Sequence, residues 1–220
     1  MTGTTHRLAG LSTGITAIEI LQVNDVKIQT ALLAGCILGS LLPDIDNPQS
    51  TISYKIPFIR TVYGLFQKFL RVGAGVLPKC QKEYVRSSIG HRGLSHSLFI
   101  AIMLPMLAWL AGRVIGLNSD MFSMGLMLGL LSHILLDLFS GGTRLFLPFS
   151  IHNVKFLNIK TGGMMEWVIR IIFTVILVYW VIGGMKDTHL FDGIIDFLFR
   201  DEPPLIPYLT LKEEVKWSLW

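Results

Sequence analysis

The length of its apolar runs constrains this chain more than any other feature. Residues 164–185, MMEWVIRIIFTVILVYWVIGGM, carry no charge after Arg170. A helix needs roughly 20 mostly apolar residues to cross a bilayer, and only helices and closed barrels satisfy every backbone group inside hydrocarbon. Four more runs approach that length: LAGLSTGITAIEILQV (8–23), VKIQTALLAGCILGSLL (26–42), SLFIAIMLPMLAWLAGRVIGL (97–117) and MFSMGLMLGLLSHILLDLF (121–139). The last three of the five are convincing spans, the third run with a kink expected at Pro105. The first two are marginal, and a hairpin that does not fully cross is their alternative. Only 15% of residues are charged and the mean hydropathy is +0.57, whereas soluble domains carry about 25% charged residues. The expected fold is therefore all-α, a multi-pass membrane helical bundle of about five hydrophobic helices. No signal peptide is expected, and Cys36 and Cys80 suggest no disulfide framework.

The charges between runs give an independent test. Residues 43–96 hold eight Lys or Arg against three acids, and residues 140–163 hold Arg144, Lys155 and Lys160 with no acid. Two spans separate these segments, so they share a side. The tail 186–220, with four basic residues and seven acids, falls opposite. The positive-inside rule makes the basic side, and the N-terminus with it, cytoplasmic. That bias explains the pI near 9.1 without nucleic acid. Residues 1–185, including the loop 43–96, form a membrane-embedded domain, and 186–220 an acidic extracytoplasmic tail. Within the loop, PFIRTVYGLFQKFLRV (57–72) sets apolar residues at helical spacing with Arg60, Lys68 and Arg71 between them. It reads as an amphipathic helix in the interface, drawn to anionic lipid, or as one packed on the protein's own core.

Ionisable residues in a membrane chain are functional candidates by default. On this topology they collect at one depth. His6 precedes the first run. Asp44 and Asp46 lie in the exit turn of the second, LLPDIDNP. His91 and His96 lie in GHRGLSHSLF before the third, with Ser95 as its expected N-cap. His133 and Asp137 occupy the last turns of the fourth, and Glu166 opens the fifth. Each has a plain structural reading. Asp44 and Asp46 suit turns, His133 and Asp137 suit a mutual hydrogen bond, and Glu166 with Arg170 suits an i, i+4 ion pair. Together, five helix ends supply imidazoles and carboxylates with no thiolate, a donor set for Zn²⁺, Mn²⁺ or Fe²⁺, and for two or three ions rather than one. Asp46, if not a ligand, is the expected proton acceptor. Arg92, between candidate ligands, suits a phosphate oxygen or a lipid headgroup.

The motifs TTHRLAG, LLPDIDNP, GHRGLSHSLF and GLLSHILLDLFSGGTRLFLPF, followed by a Glu, resemble the bacterial membrane-bound metal-dependent hydrolases, whose best-known members are LexA-regulated, SOS-linked inner-membrane proteins. The resemblance covers residues 5–170. It implies a multi-pass inner-membrane protein with a metal site at His6, Asp44, Asp46, His91, His96, His133, Asp137 and Glu166. A weaker likeness of ligand type links the set to zinc-dependent phospholipase C. The chain departs from the pattern at Asn47, where the family often has His, and carries Ser140 where Thr is common. The expected activity is hydrolysis of a phosphoester, with a membrane phospholipid as the favoured substrate, at the cytoplasmic interface. The rivals are a metal-ion transporter, which would carry its ionisable residues nearer the midplane, and a non-catalytic membrane protein with a structural metal. The sequence sets no oligomeric state.

Overall fold

The computed structural model describes residues 1–47, 50, 57–90 and 92–184, and the acidic tail lies outside them. The described residues form seven α-helices in chain order: α1 (Gly3–Ile20), α2 (Val26–Leu41), α3 (Pro57–Gly73), α4 (Lys79–Ile89), α5 (Leu98–Val114), α6 (Asp120–Ser140) and α7 (Met164–Tyr179). Short 3₁₀ turns follow α2 (Leu42–Asp46) and α3 (Ala74–Val76) and precede α5 (Leu94–His96), and a π turn (Trp180–Gly184) ends α7. The described residues contain no strand. A lone antiparallel bridge, Thr143 with Val154, closes the loop after α6. The all-helical membrane bundle is as expected.

Among the described residues, three helical stretches are long and apolar enough to cross a membrane: Val26–Asp46, Asp120–Ser140 and Met164–Ile182. This revises the ranking of the runs. The second run joins the convincing ones because the 3₁₀ turn Leu42–Asp46 prolongs α2. The third proves shorter, at Leu98–Val114, and passes through Pro105 as one helix. Its cap is Ser97, whose Oγ accepts from Ile100 N at 3.3 Å; Ser95 is engaged elsewhere.

Lipid tails are as apolar as leucine, so helices in a membrane associate through close van der Waals packing and polar contacts. Both devices are present. On α2 and α6, glycines four residues apart face one another: Gly35 and Gly39 against Gly125 and Gly129. A Cβ at Gly35 would stand 2.2 Å from the Phe122 carbonyl oxygen, and one at Gly129 would stand 2.2 Å from that of Cys36. The two backbones touch with no side chain between them. Ala101 and Leu126, Leu130 and Ile134 then form a small core between α5 and α6.

The outer helix α7 packs Ile169 and Phe173 on a small cluster of Met1, Ala9, Leu136 and Ile159, and polar contacts add to its hold. Only Glu166 is buried in it. One Glu166 oxygen, Oε1, accepts from Thr2 N (2.7 Å), Thr2 Oγ1 (2.7 Å), Thr5 Oγ1 (2.5 Å) and Arg170 Nη2 (3.3 Å). The other, Oε2, accepts from Gly162 N at 2.7 Å. Farther along, Ser12 Oγ donates to the Phe173 carbonyl at 3.2 Å.

The amphipathic run forms α3, where Leu65, Phe69 and Val72 are exposed beside exposed Lys68 and Arg71. A helix packed only on the protein's own core would have buried these apolar residues.

Substituting Gly129 with Leu must separate α2 from α6. Overpacking of this kind costs about 1–3 kcal/mol, so the thermal midpoint in detergent is expected to fall. Gly64→Ala on α3, where an added Cβ meets nothing within 4 Å, is expected to leave it level or raise it slightly.

Candidate metal centre

Four helix ends meet at the site. The ends of α2 and α6 bring Asp44 and Asp46, and His133 and Asp137. The first turns of α1 bring His6, and the turn before α5 brings His96. All are buried except Asp44, whose side chain keeps 16% exposure.

The imidazoles are oriented from behind. His133 Nδ1 lies 2.6 Å from the Ser40 carbonyl oxygen. A carbonyl only accepts, so Nδ1 carries the proton and Nε2 presents a lone pair. Ser40 follows Gly39, so the glycine contact sets this hydrogen bond. His96 Nδ1 lies 3.3 Å from Asp46 Oδ2, which also accepts from Ser95 Oγ (2.6 Å) and Arg92 N (3.2 Å). Such outer partners fix the tautomer of metal-binding histidines.

With both Nδ1 atoms so engaged, acceptor atoms converge on the other side. His96 Nε2 and His133 Nε2 are 3.3 Å apart. Asp137 Oδ2 lies 3.2 Å from the first and 3.7 Å from the second. Asp44 Oδ1 lies 4.0 and 3.8 Å from them. Ligand atoms about 2.0–2.2 Å from a shared tetrahedral ion lie roughly 3.3–3.6 Å apart, and Asp44, His96 and His133 bring theirs within 4.8 Å of one another, a group that could hold a cation. A second group, His6, His133 and Asp137, also brings its ligand atoms within 4.8 Å of one another. His6 stacks on His133 at 3.7 Å, and its buried Nδ1 has no hydrogen-bond partner among the described residues. The donor set therefore fits a divalent metal.

The electrostatics agree. Burial alone would push His96 down, but hydrogen bonds and charge from Asp137 and Asp46 outweigh it and raise its pKa to about 9. Without a metal, the site binds a proton in its place. Asp137 Oδ1 takes other positive groups: Arg92 Nη2 at 3.1 Å and the Met1 amino group at 3.4 Å. Ser140 Oγ donates to the same atom at 3.2 Å and accepts from Arg92 Nη2 at 3.0 Å.

Arg92 is strained. Its φ is 58°, a left-handed conformation that costs a non-glycine residue about 1–3 kcal/mol and persists where its surroundings impose it. Here the backbone is pinned on both sides, N–H to Asp46 and C=O by Arg144 N at 3.4 Å. The result is a guanidinium held against Asp137 with 23% of the side chain exposed.

The family model described as YdjM inner membrane protein matches residues 1–190. The chain belongs to this family. It is the LexA-regulated inner-membrane family that the motif order resembles. Uncharacterized protein YvsG of Bacillus subtilis (strain 168) is 30% identical over 167 residues, which cover 76% of this chain and 85% of that protein. No solved structure matches the chain. Membership and the membrane-length helices together make this an inner-membrane protein.

The site brings together His6, Asp44, Asp46, His96, His133 and Asp137 from among the expected family ligands. His91 lies outside the described residues. Two roles change. Asp46 belongs to neither group of converging ligand atoms. Among the described residues its Oδ2 faces His96 Nδ1 at 3.3 Å, a position from which it orients that imidazole. Glu166 is not brought to the cluster, because Thr2, Thr5, Gly162 and Arg170 occupy both of its oxygens. Sequence reasoning missed Ser40, whose contribution is a backbone carbonyl that carries no sequence signal. It also missed Ser140 as the hydroxyl joining Asp137 to Arg92.

Metal analysis after dialysis separates these roles. His133→Ala and Asp137→Ala are expected to lose bound divalent metal. Asp46→Asn should keep it with affinity weakened about 10–100-fold, the usual effect of removing an orienting partner. Glu166→Gln should keep bound metal, losing affinity only through a looser His6, while lowering stability by about 1.5–3 kcal/mol, as for a lost charged hydrogen bond.

Proposed function

We propose that this protein is a membrane-bound metal-dependent hydrolase that cleaves a phosphoester of a membrane phospholipid. The observation that carries this reading is the convergence of His96 Nε2, His133 Nε2, Asp137 Oδ2 and Asp44 Oδ1 beside a partly exposed arginine. One ion would be held by Asp44, His96, His133 and Asp137. A second would use His6, with Asp137 shared. Zinc is the first choice for these donors, manganese or iron the next. When bound, the metal supplies Lewis acidity and a nucleophile at neutral pH.

The chain's own groups do the rest. Asp46 and the Ser40 carbonyl hold His96 and His133 in the tautomers that present Nε2. Ser140 and Asp137 hold Arg92, whose guanidinium matches a phosphoryl oxygen. The modest exposure of Asp44 and Arg92 supports an open site rather than the closed shell of a structural metal. Loop charges favour a cytoplasmic orientation. The site's position at helix ends matches the depth of headgroup esters. It also argues against transport, which would use the midplane.

The test is purified protein in nanodiscs, loaded in turn with zinc, manganese and iron, and offered phospholipids and soluble phosphodiesters and monoesters. Metal-dependent release of a phosphorylated or dephosphorylated product is expected. Asp137→Asn should abolish it, and Arg92→Ala should lower kcat/KM about 10²-fold, as for one lost transition-state donor. Stoichiometric metal with no cleavage of any ester would overturn the reading in favour of a structural metal.

A further inference from the structure

A half-open cavity of about 560 Å³ lies beside the metal centre. Its walls are almost wholly apolar. Pro43 and Ile45 come from the turn that carries Asp44 and Asp46. Leu94 comes from the turn that carries His96, Leu104 from α5 and Val85 from α4. Ser95 marks the boundary: it lines the cavity while its Oγ donates to Asp46 Oδ2 at 2.6 Å. The two turns that supply the site's acids and His96 are thus also walls of an apolar chamber. Its volume falls within the roughly 300–1,000 Å³ of ordinary ligand pockets, but among the described residues its lining lacks the charged groups that a water-soluble phosphoester would need along its length.

The surroundings narrow the choice of occupant. The α3–α4 segment that walls one side exposes Leu65, Phe69, Val72 and Leu77, and among them the exposed Lys68, Arg71, Lys79 and Arg86. An apolar face studded with cations fits a leaflet that contains anionic lipid, and a second protein surface would need acidic complements. We infer that the cavity takes one acyl chain of an anionic membrane phospholipid, which sets the headgroup phosphate on the side of the turns where Arg92 and His96 stand. The chain-binding part stands alone. Only the fate of the headgroup rests on the hydrolase reading.

The experiment uses full-length protein in nanodiscs of phosphatidylcholine with a minor share of phosphatidylglycerol bearing a photoactivatable diazirine on its acyl chain. After illumination, adducts are mapped by mass spectrometry. Adducts are expected on residues 42–45 and 94–104 as well as on the lipid-facing side of α7. Val85→Trp, which fills the cavity, is expected to reduce the first set at least fivefold and leave the α7 adducts unchanged. Gln81→Trp, at an exposed position of the same helix, should change neither. Leu104→Trp fills the cavity from α5, so the result does not hang on α4 alone. Adducts confined to α7 and other outer surfaces, as when another segment or a second copy fills the cavity, overturn the proposal. So do wall adducts that both filling variants leave intact. The readout needs no turnover. A chain pocket without hydrolysis would retire the hydrolase reading alone, and hydrolysis without wall adducts would retire the pocket alone.

Discussion

The close approach of α2 and α6 is the contact on which the rest of the structure depends. Four glycines let two backbones meet at distances that any side chain would forbid. In hydrocarbon this matters more than in water, because no hydrophobic effect draws helices together and only contact and polar pairing remain. The register it sets has a chemical consequence. Ser40, one residue past Gly39, meets His133, four residues past Gly129, with a carbonyl-to-imidazole separation of 2.6 Å. The same register carries the turn after α2, with Asp44 and Asp46, to the end of α6. The packing device and the metal centre are two ends of one contact.

At that end the physics runs from burial to cation. Imidazole nitrogens and carboxylate oxygens that face one another at 3.2–4.0 Å repel unless something positive lies among them. Taking a carboxylate out of water costs several kcal/mol, and Asp137, at 2% exposure, can hold its charge only among positive partners. The chain supplies Arg92 on one oxygen and the raised basicity of His96 on the other. A proton satisfies the second position in the absence of metal, and a metal must displace it. Affinity for metal is therefore coupled to pH through the same atom that orients toward the ion.

Much of this was legible in the sequence, because spans and helix ends are written in apolar run length and in the placement of Pro, Gly and charge. The clustering of His6, Asp44, His96, His133 and Asp137 followed from topology alone. What was not legible depended on register between helices. Glu166 looked like one more carboxylate at the same depth, yet its plainer reading, an ion pair with Arg170, is nearer the mark. Nothing in the sequence says that the hydroxyls of Thr2 and Thr5 will arrive at its Oε1. Ser95 was the expected cap of α5, but its hydroxyl engages Asp46 and Ser97 caps the helix instead. The glycine pairs at 35, 39, 125 and 129 were readable as close-contact spacing in apolar helices, a signal overshadowed by the ionisable residues.

Glu166 nonetheless bears on the metal centre, through α1. That helix carries Thr2 and Thr5, which bind Glu166, and His6, which stacks on His133 at 3.7 Å. Thr5 and His6 are adjacent, so fixing the hydroxyl against α7 fixes the start of the helix that presents the imidazole. The first turn of α1 is thereby held between a saturated carboxylate on one side and the ligand cluster on the other. A buried acid with both oxygens held by hydrogen bonds away from the cluster does not serve the metal directly. It serves as an anchor, and its value lies in how rigidly it sets the distance between His6 and Asp137, now 3.5 Å.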